Sequence, residues 1–307
     1  MNNLLHLKYA VEVEKTGSIS KAAENLYMGQ PHLSKAIRDL EESLGIAIFN
    51  RTSKGVVPTE RGEEFLGYAK NILRQMDEIE SLYKSGNPTK QRFDLTAPRA
   101  SYISHAFSNF VKTLDLGKQI SVNYRETNSA ASIQYVAQSV HNLAVIRYQV
   151  IYEQYFQNAI EERDLRSELL LEFDHVIIFS KNHPLAKRAV IDADELSDYI
   201  EIVHGDISVP SLPTVEARKI AKDQEHKKTI AVYERGSQFE LLSRVPLTYM
   251  WVSPVPQELL TLYGLVQKPC KTSRNRCKDL LISRKSYHFS EEDKQFIKIL
   301  KNMVETI

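Results

Sequence analysis

Apolar residues return at helical spacing four times within the first 84 positions. Leu4, Leu7, Ala10 and Val11 mark a first helix that Gly17 stops. Ile19, Ala22, Ala23 and Leu26 fall at i, i+3, i+4 and i+7, one face of a second helix for which Ser18 is the N-cap. Leu33, Ile37, Leu40 and Leu44 give a third helix its buried stripe. Pro31 sits in the first turn of that helix, where a missing N–H has no intrahelical partner to lose, and Gly45 closes it. Only Tyr27, Met28 and Gly29 separate helices two and three, and so short a connection forces a sharp crossing. Ile48-Phe49 and Val56-Val57 then flank a turn around Gly55 that carries Arg51, Thr52 and Lys54. The pattern predicts a winged helix-turn-helix over residues 1–60.

A fourth helix follows. Phe65, Ala69, Ile72, Met76, Ile79 and Tyr83 alternate spacings of four and three, the a/d seam of a coiled coil. Residues 61–88 are therefore expected to form a linker and dimerisation helix, ending in the turn-rich hinge Ser85-Gly86-Asn87-Pro88. From 89 to 307 the pattern alternates. Strands are expected at 93–97, 120–124, 143–147, 175–180, 199–203, 229–233, 248–252 and 280–283. Helices are expected at 101–114, 129–140, 192–196, 212–222, 237–244, 255–263 and 290–305. Such alternation argues for a largely parallel α/β sheet. Residues 149–168 are rich in tyrosine, and Tyr152, Tyr155 and Phe156 are expected to pack as a helix against the edge of a cleft.

Composition bounds the function. The chain has 307 residues, 42% hydrophobic and 26% charged, with a net charge of +1. Within residues 1–60 the basic Lys8, Lys15, Lys21, Lys35, Arg38, Arg51 and Lys54 are matched in number by acidic Glu12, Glu14, Glu24, Asp39, Glu41, Glu42 and Glu60. Affinity for nucleic acid must then come from local placement and from pairing of two copies, with a salt-dependent phosphate component. His6, Lys8, Glu12 and Glu14 interrupt the first helix, so a signal peptide is not expected, and no segment approaches the ~20 apolar residues that span a bilayer. The expected location is the cytoplasm.

The polar face of the third helix holds the chemistry. Gln30, Pro31, His32, Ser34, Lys35 and Arg38 surround its N-terminal half, and amides and cations there suit hydrogen bonding to base edges in the major groove. Ser18, Ser34 and the helix N-terminus suit phosphate oxygens, and the tip with Arg51, Thr52 and Lys54 suits the backbone or minor groove. The partner expected is double-stranded DNA.

These residues resemble the DNA-binding domain of LysR-type transcriptional regulators. The resemblance rests on Ala22-Ala23, Leu26, Gln30-Pro31, Leu33-Ser34, Ile37, Leu40-Glu41, Leu44-Gly45, Phe49 with Arg51, and Thr59 with Gly62, and covers about the first 65 residues. His183-Pro184-Leu185-Ala186 resembles a signature of the family's effector domain. Gly29 stands where the family has Ser or Thr, His32 where a small residue is common, and Lys35 where Arg is common; lysine offers a point charge without a planar fork.

The resemblance implies an α plus α/β architecture: the winged helix-turn-helix, a long linker helix that pairs antiparallel with a partner's, and a two-lobed, Rossmann-like effector domain similar to periplasmic binding proteins. Crossings are expected near 161–168 and 264–270, giving lobe one about 91–161 and 269–307, and lobe two about 162–268. It also implies a small-molecule effector in the cleft and a homo-oligomer, dimer or tetramer. Open α/β sheets bind ligands at the C-terminal ends of their strands. Arg99 and Ser101, then Thr127, Asn128 and Ser129, then Arg147, and Asp206 in the second lobe, follow such strand ends. Ser129 and Arg147 are the foremost candidates, and the two arginines point to an anionic effector.

Two other classes are weighed. A solute-binding protein without a DNA role leaves residues 18–62 unexplained. An enzyme finds no Gly-rich phosphate loop, no metal-ligand spacing and no nucleophile elbow, and His175, His183, His204 and His226 are scattered without paired acids. No catalytic residue, metal or cofactor is expected. Cys270 and Cys277 flank a basic loop; a redox pair is one reading, and two ordinary cysteines in a reducing compartment the simpler one.

Overall fold

A computed structural model describes residues 4–52, 55–84, 90–205, 228–233, 235–271 and 276–307. They fall into two compact units, Met1–Lys90 with Gln138–Val140, and Gln91–Ala137 with His141–Ile307.

The first unit holds α1 (Leu4–Thr16), α2 (Ile19–Asn25), α3 (Gln30–Leu44), the hairpin β1 (Phe49–Thr52) and β2 (Gly55–Pro58), and α4 (Glu60–Lys84). Ala10, Val13, Ala22, Ala23, Leu33, Ile37, Leu40, Ile48 and Leu66 form its core. Leu44 departs from the expected stripe: it is 42% exposed, and Ala36 is buried instead. The helix is ending there. Gly45, at φ +67°, turns the chain away, so the last residue of the stripe has nothing to lie against.

The second unit contains two five-stranded sheets. The first has the order β4 (Gln119–Glu126), β3 (Lys90–Ala97), β5 (Leu143–Gln149), β12 (Arg276–Arg284), β6 (Leu165–Asp174). The second has the order β11 (Leu265–Lys268), β7 (Val176–Ser180), β10 (Thr248–Val252), β8 (Ile200–His204), β9 (Thr229–Val232). Helices α5 (Ser101–Val111), α6 (Ser129–Ala137), α7 (Glu153–Glu161) and α10 (Glu291–Val304) accompany the first sheet, and α8 (Gly236–Arg244) and α9 (Gln257–Tyr263) the second. Phe93, Phe110 and Phe296, with centroids 4.6 and 4.8 Å from the first ring, centre one core of the first lobe. The helix expected at 212–222 and the hinge at 85–88 lie outside the described residues.

Three expectations are corrected. The sheets are mixed: β3 runs parallel to β5, but β12 is antiparallel to β5 and β6, and β7 antiparallel to β10 and β11. The crossing expected near 161–168 falls later: residues 165–174 are a full strand of the first sheet, so the chain crosses at His175. The stretch reads as a connection because an edge strand buries little; only Leu165 and Phe173 are buried, and the usual alternation is lost. The helix expected at 192–196 is a single 3₁₀ turn, Ala193–Leu196, closed by an Asp192/Glu195 capping box.

The His183-Pro184-Leu185-Ala186 signature proves to be a structural corner. His183 is 3% exposed, stacks on Phe179 at 4.5 Å and tilts against Tyr199 at 4.4 Å. Its Nδ1 accepts the Leu185 N–H at 3.1 Å. Burial pushes its pKa down to about 4 from 6.5. Between those values the unfolded chain takes the proton and the folded chain resists it, so stability rises with pH. The contribution is whole above about 6.5 and is lost as pH falls towards about 4, a change of about 3 kcal/mol. Urea unfolding across that range should show the slope, and His183→Asn, which can still accept the Leu185 N–H, should flatten it.

Candidate functional site

The candidate reading face is built on α3. Gly29 is its N-cap with no side-chain bond, and Pro31 lies in the first turn. Leu33, Ala36, Ile37 and Leu40 hold one side of the helix in the core, which leaves Gln30, Pro31, His32, Lys35 and Arg38 exposed on the other and Ser34 half-buried. Ser18 caps α2, its Oγ accepting the Lys21 N–H at 3.4 Å.

The hairpin is fixed from two sides. Val56 donates its N–H to the Gly17 carbonyl at 2.8 Å. Glu41 accepts the N–H groups of Ile48 and Phe49 at 2.7 and 3.0 Å, so the Leu40-Glu41 motif supplies one core residue and one clamp that aims β1. Lys54 and the side chains of Arg51 and Thr52 lie outside the described residues.

On α4, Leu66 is fully buried in the core of the unit and Phe65 packs beside it, while Ala69 is also buried. Of the expected seam, Ile72 and Ile79 are 44% and 50% exposed and Met76 is half-buried. The N-terminal part of the helix thus faces its own core, and the exposed positions of the expected seam begin at Ile72. The side chain of Tyr83 lies outside the described residues.

The second unit encloses a cavity of about 380 Å³. Arg99, Ser101, Thr127, Asn128, Ser129 and Arg147 all line it, brought together because β3, β4 and β5 end on one side of their sheet and α5 and α6 begin there. Asp206 lies outside the described residues. Tyr152 and Phe156, expected against the edge of the cleft, line this cavity too, and so do His175, Gln238, Trp251 and Cys277, which were not expected there. The aromatic signal at 148–156 was visible as helix packing; Phe156 stacks on Tyr148 at 5.0 Å, whereas Tyr155 is 48% exposed.

Two foremost candidates change role. Ser129 donates its hydroxyl to the Arg147 carbonyl at 2.7 Å and accepts the Arg147 N–H at 3.0 Å, so it ties α6 to β5. Arg147 donates Nε and Nη2 to the two oxygens of Asp279 at 2.7 and 2.6 Å, a bidentate pair. Asp279 is wholly buried, accepts the Tyr102 hydroxyl at 2.5 Å, and was not singled out from the sequence. Burial pulls the Arg147 pKa down, but the carboxylate beside it more than offsets this and holds the guanidinium charged. The pair is neutral as a unit, so Arg147 does not support the anionic effector expected.

The cavity's edges are also bridged. Arg235, at the start of α8, pairs with Glu126 and donates to the Ser101 hydroxyl at 3.0 Å. Arg99 donates to the Tyr233 carbonyl at 2.9 Å, and His105 meets Glu258 at 3.0 Å. Cys270 and Cys277 are both buried. Burial pushes the Cys277 thiol up to about 11, which disfavours the thiolate that redox exchange needs. Among the described residues no group of His, Cys, Asp and Glu could hold a metal ion, and no helix is long and apolar enough to cross a membrane.

Comparison with known proteins gives three findings. Residues 4–63 match the family model "Bacterial regulatory helix-turn-helix protein, lysR family". The chain is 42% identical over 81 residues to the HTH-type transcriptional regulator BenM of Acinetobacter baylyi, a match covering 26% of this chain and 27% of BenM, so it spans about a quarter of that relative. Over nearly their whole lengths the fold matches full-length OxyR from Pseudomonas aeruginosa (TM-score 0.60, 17% identity, 99% of this chain and 95% of that one) and LysG from Corynebacterium glutamicum with bound effector Arg (TM-score 0.60, 13% identity, 99% and 98%). At these identities the structural likeness speaks for the fold.

Proposed function

We propose that this chain, whose residues 4–63 belong to the lysR family of bacterial regulatory helix-turn-helix proteins, is a sequence-specific DNA-binding transcription regulator. Its domains are the winged helix-turn-helix of 1–60, the linker helix and hinge of 61–88, and an effector-binding domain over 89–307. The observation that carries the reading is α3, which turns Gln30, His32, Lys35 and Arg38 outward while Leu33, Ile37 and Leu40 hold it down. A helix so presented, beside a two-stranded wing, is shaped for the major groove.

The reading head is charge-balanced, so one copy binds weakly. Ile72, Met76 and Ile79 supply an apolar seam through which two copies span two half-sites. DNA and regulator share the cytoplasm. A small molecule in the cavity acts by binding one arrangement of the lobes more tightly than another; LysG, of the same fold, is described with a bound effector. A solute-binding role alone leaves the whole first unit without a purpose.

The test is a gel shift of the full chain on the DNA upstream of its own gene. Binding at moderate salt is expected. Lys35→Ala should weaken it and lower the slope of log affinity against log salt by about 1, the share of one phosphate contact. A changed base preference with an unchanged slope would instead assign Lys35 to a base edge, and no shift at any salt would sink the reading.

A further inference from the structure

We infer that the cavity takes an uncharged aromatic molecule bearing a polar group such as a carboxamide, and discriminates against the corresponding carboxylate. The inference rests on the proposed reading of the cavity as an effector site and names its ligand class.

Three observations carry it. The first is charge. Asp279 matches Arg147 and Glu126 matches Arg235, each pair closed by hydrogen bonds and each mostly buried. Tyr102 and Tyr124 add their hydroxyls to Asp279 and to Glu126 at 2.5 and 3.1 Å, so both carboxylates are satisfied from within. A carboxylate entering the cavity loses its hydration and meets two cations already neutralised, and burying a charge without a matched partner is costly. Arg99, half-buried, donates to the Tyr233 carbonyl. The second is shape and surface. The volume of about 380 Å³ falls in the range of small-molecule pockets. Tyr148, Tyr152 and Phe156 line it from one lobe and Trp251 from the other, a surface for a flat ring. The third is polarity without charge. Gln238 in the wall is 3% exposed, and its Oε1 accepts no hydrogen bond from the described residues. A ligand N–H supplies the donor it lacks.

The probes are nicotinamide and nicotinate, one ring with a neutral or an anionic substituent, titrated calorimetrically into the full chain near neutral pH. Nicotinamide should bind about tenfold tighter or better. Glu126→Gln leaves Arg235 without its carboxylate, and Asp279→Asn does the same for Arg147. Each should raise nicotinate affinity relative to nicotinamide, and Glu126, at the cavity edge, keeps the test alive if the buried variant does not fold. Nicotinate binding as tightly as nicotinamide in the unsubstituted chain overturns the inference and gives the site to Arg99. So does binding of neither probe up to millimolar concentration, or an unchanged preference in Glu126→Gln. The gel shift separates this from the regulator reading. A chain that shifts DNA but prefers nicotinate loses only the ligand class, and one that prefers nicotinamide but shifts no DNA loses only the regulator.

Discussion

Arg147→Met is expected to destabilise the second unit by about 3–5 kcal/mol, because it leaves Asp279 charged and without a counter-ion in the interior. Asp279 is 0% exposed on its side chain and Arg147 16%, so water cannot replace the lost guanidinium. The Tyr102 hydroxyl still donates to the carboxylate, but one neutral donor does not balance a full charge. Arg147 also lies over the Phe173 ring at 4.7 Å, an aromatic contact that methionine keeps only in part. Urea unfolding followed by far-UV circular dichroism is the measurement. The double variant Arg147→Met with Asp279→Leu should recover most of the loss, since replacing both members of a buried pair by apolar side chains is often close to neutral. A single variant within 1 kcal/mol of the parent would mean that water or another cation reaches Asp279.

That pair marks the boundary of what the sequence discloses. The helix-turn-helix was legible because its signals are local: a stripe at i, i+3, i+4, a three-residue turn, a proline at the start and a glycine at the end. The strand ends carrying Arg99, Thr127 to Ser129 and Arg147 were legible too, since alternating elements place them on one side of a sheet. What those residues touch was not. Asp279 is 132 positions from Arg147 in the chain, and reaches it because β12 returns to lie antiparallel between β5 and β6, a topology that alternation alone does not specify. Arg235 and Glu126 meet across 109 positions for the same kind of reason. A buried arginine and a binding arginine look alike in one dimension, and only the partner tells them apart. The edge strand β6 was missed by the opposite failure: its sequence lacks a pattern because its place in the sheet does not demand one.

Gly62→Ala is expected to cost about 2–4 kcal/mol in the stability of the first unit and to abolish most DNA binding, although Gly62 lies on the linker helix and outside the reading face. A Cβ built on Gly62 would sit 2.0 Å from the Ile48 carbonyl oxygen and 2.8 Å from its carbon. Both are backbone atoms, so no rotamer change relieves the contact. Ile48 cannot retreat, because its side chain is fully buried, its N–H is held by Glu41, and its carbonyl accepts the Thr59 N–H at 2.9 Å. The helix must move instead. That breaks the bond from the Thr59 hydroxyl to the Ala47 carbonyl, 2.6 Å, and from the Gly62 N–H to Thr59, 2.9 Å, and it draws Leu66 from the core one turn later. Hairpin and reading helix share that core and the Glu41 clamp, so their relative aim is lost with it. Gly67→Ala, in the same helix, is the control: its Cβ would meet nothing within 4 Å, and alanine should add up to about 1 kcal/mol through helix propensity. Thermal unfolding and a gel shift on both variants read the contrast. If the two alanines behave alike, the spacing of Thr59 and Gly62 reflects something other than the passage of α4 across the Ile48 carbonyl.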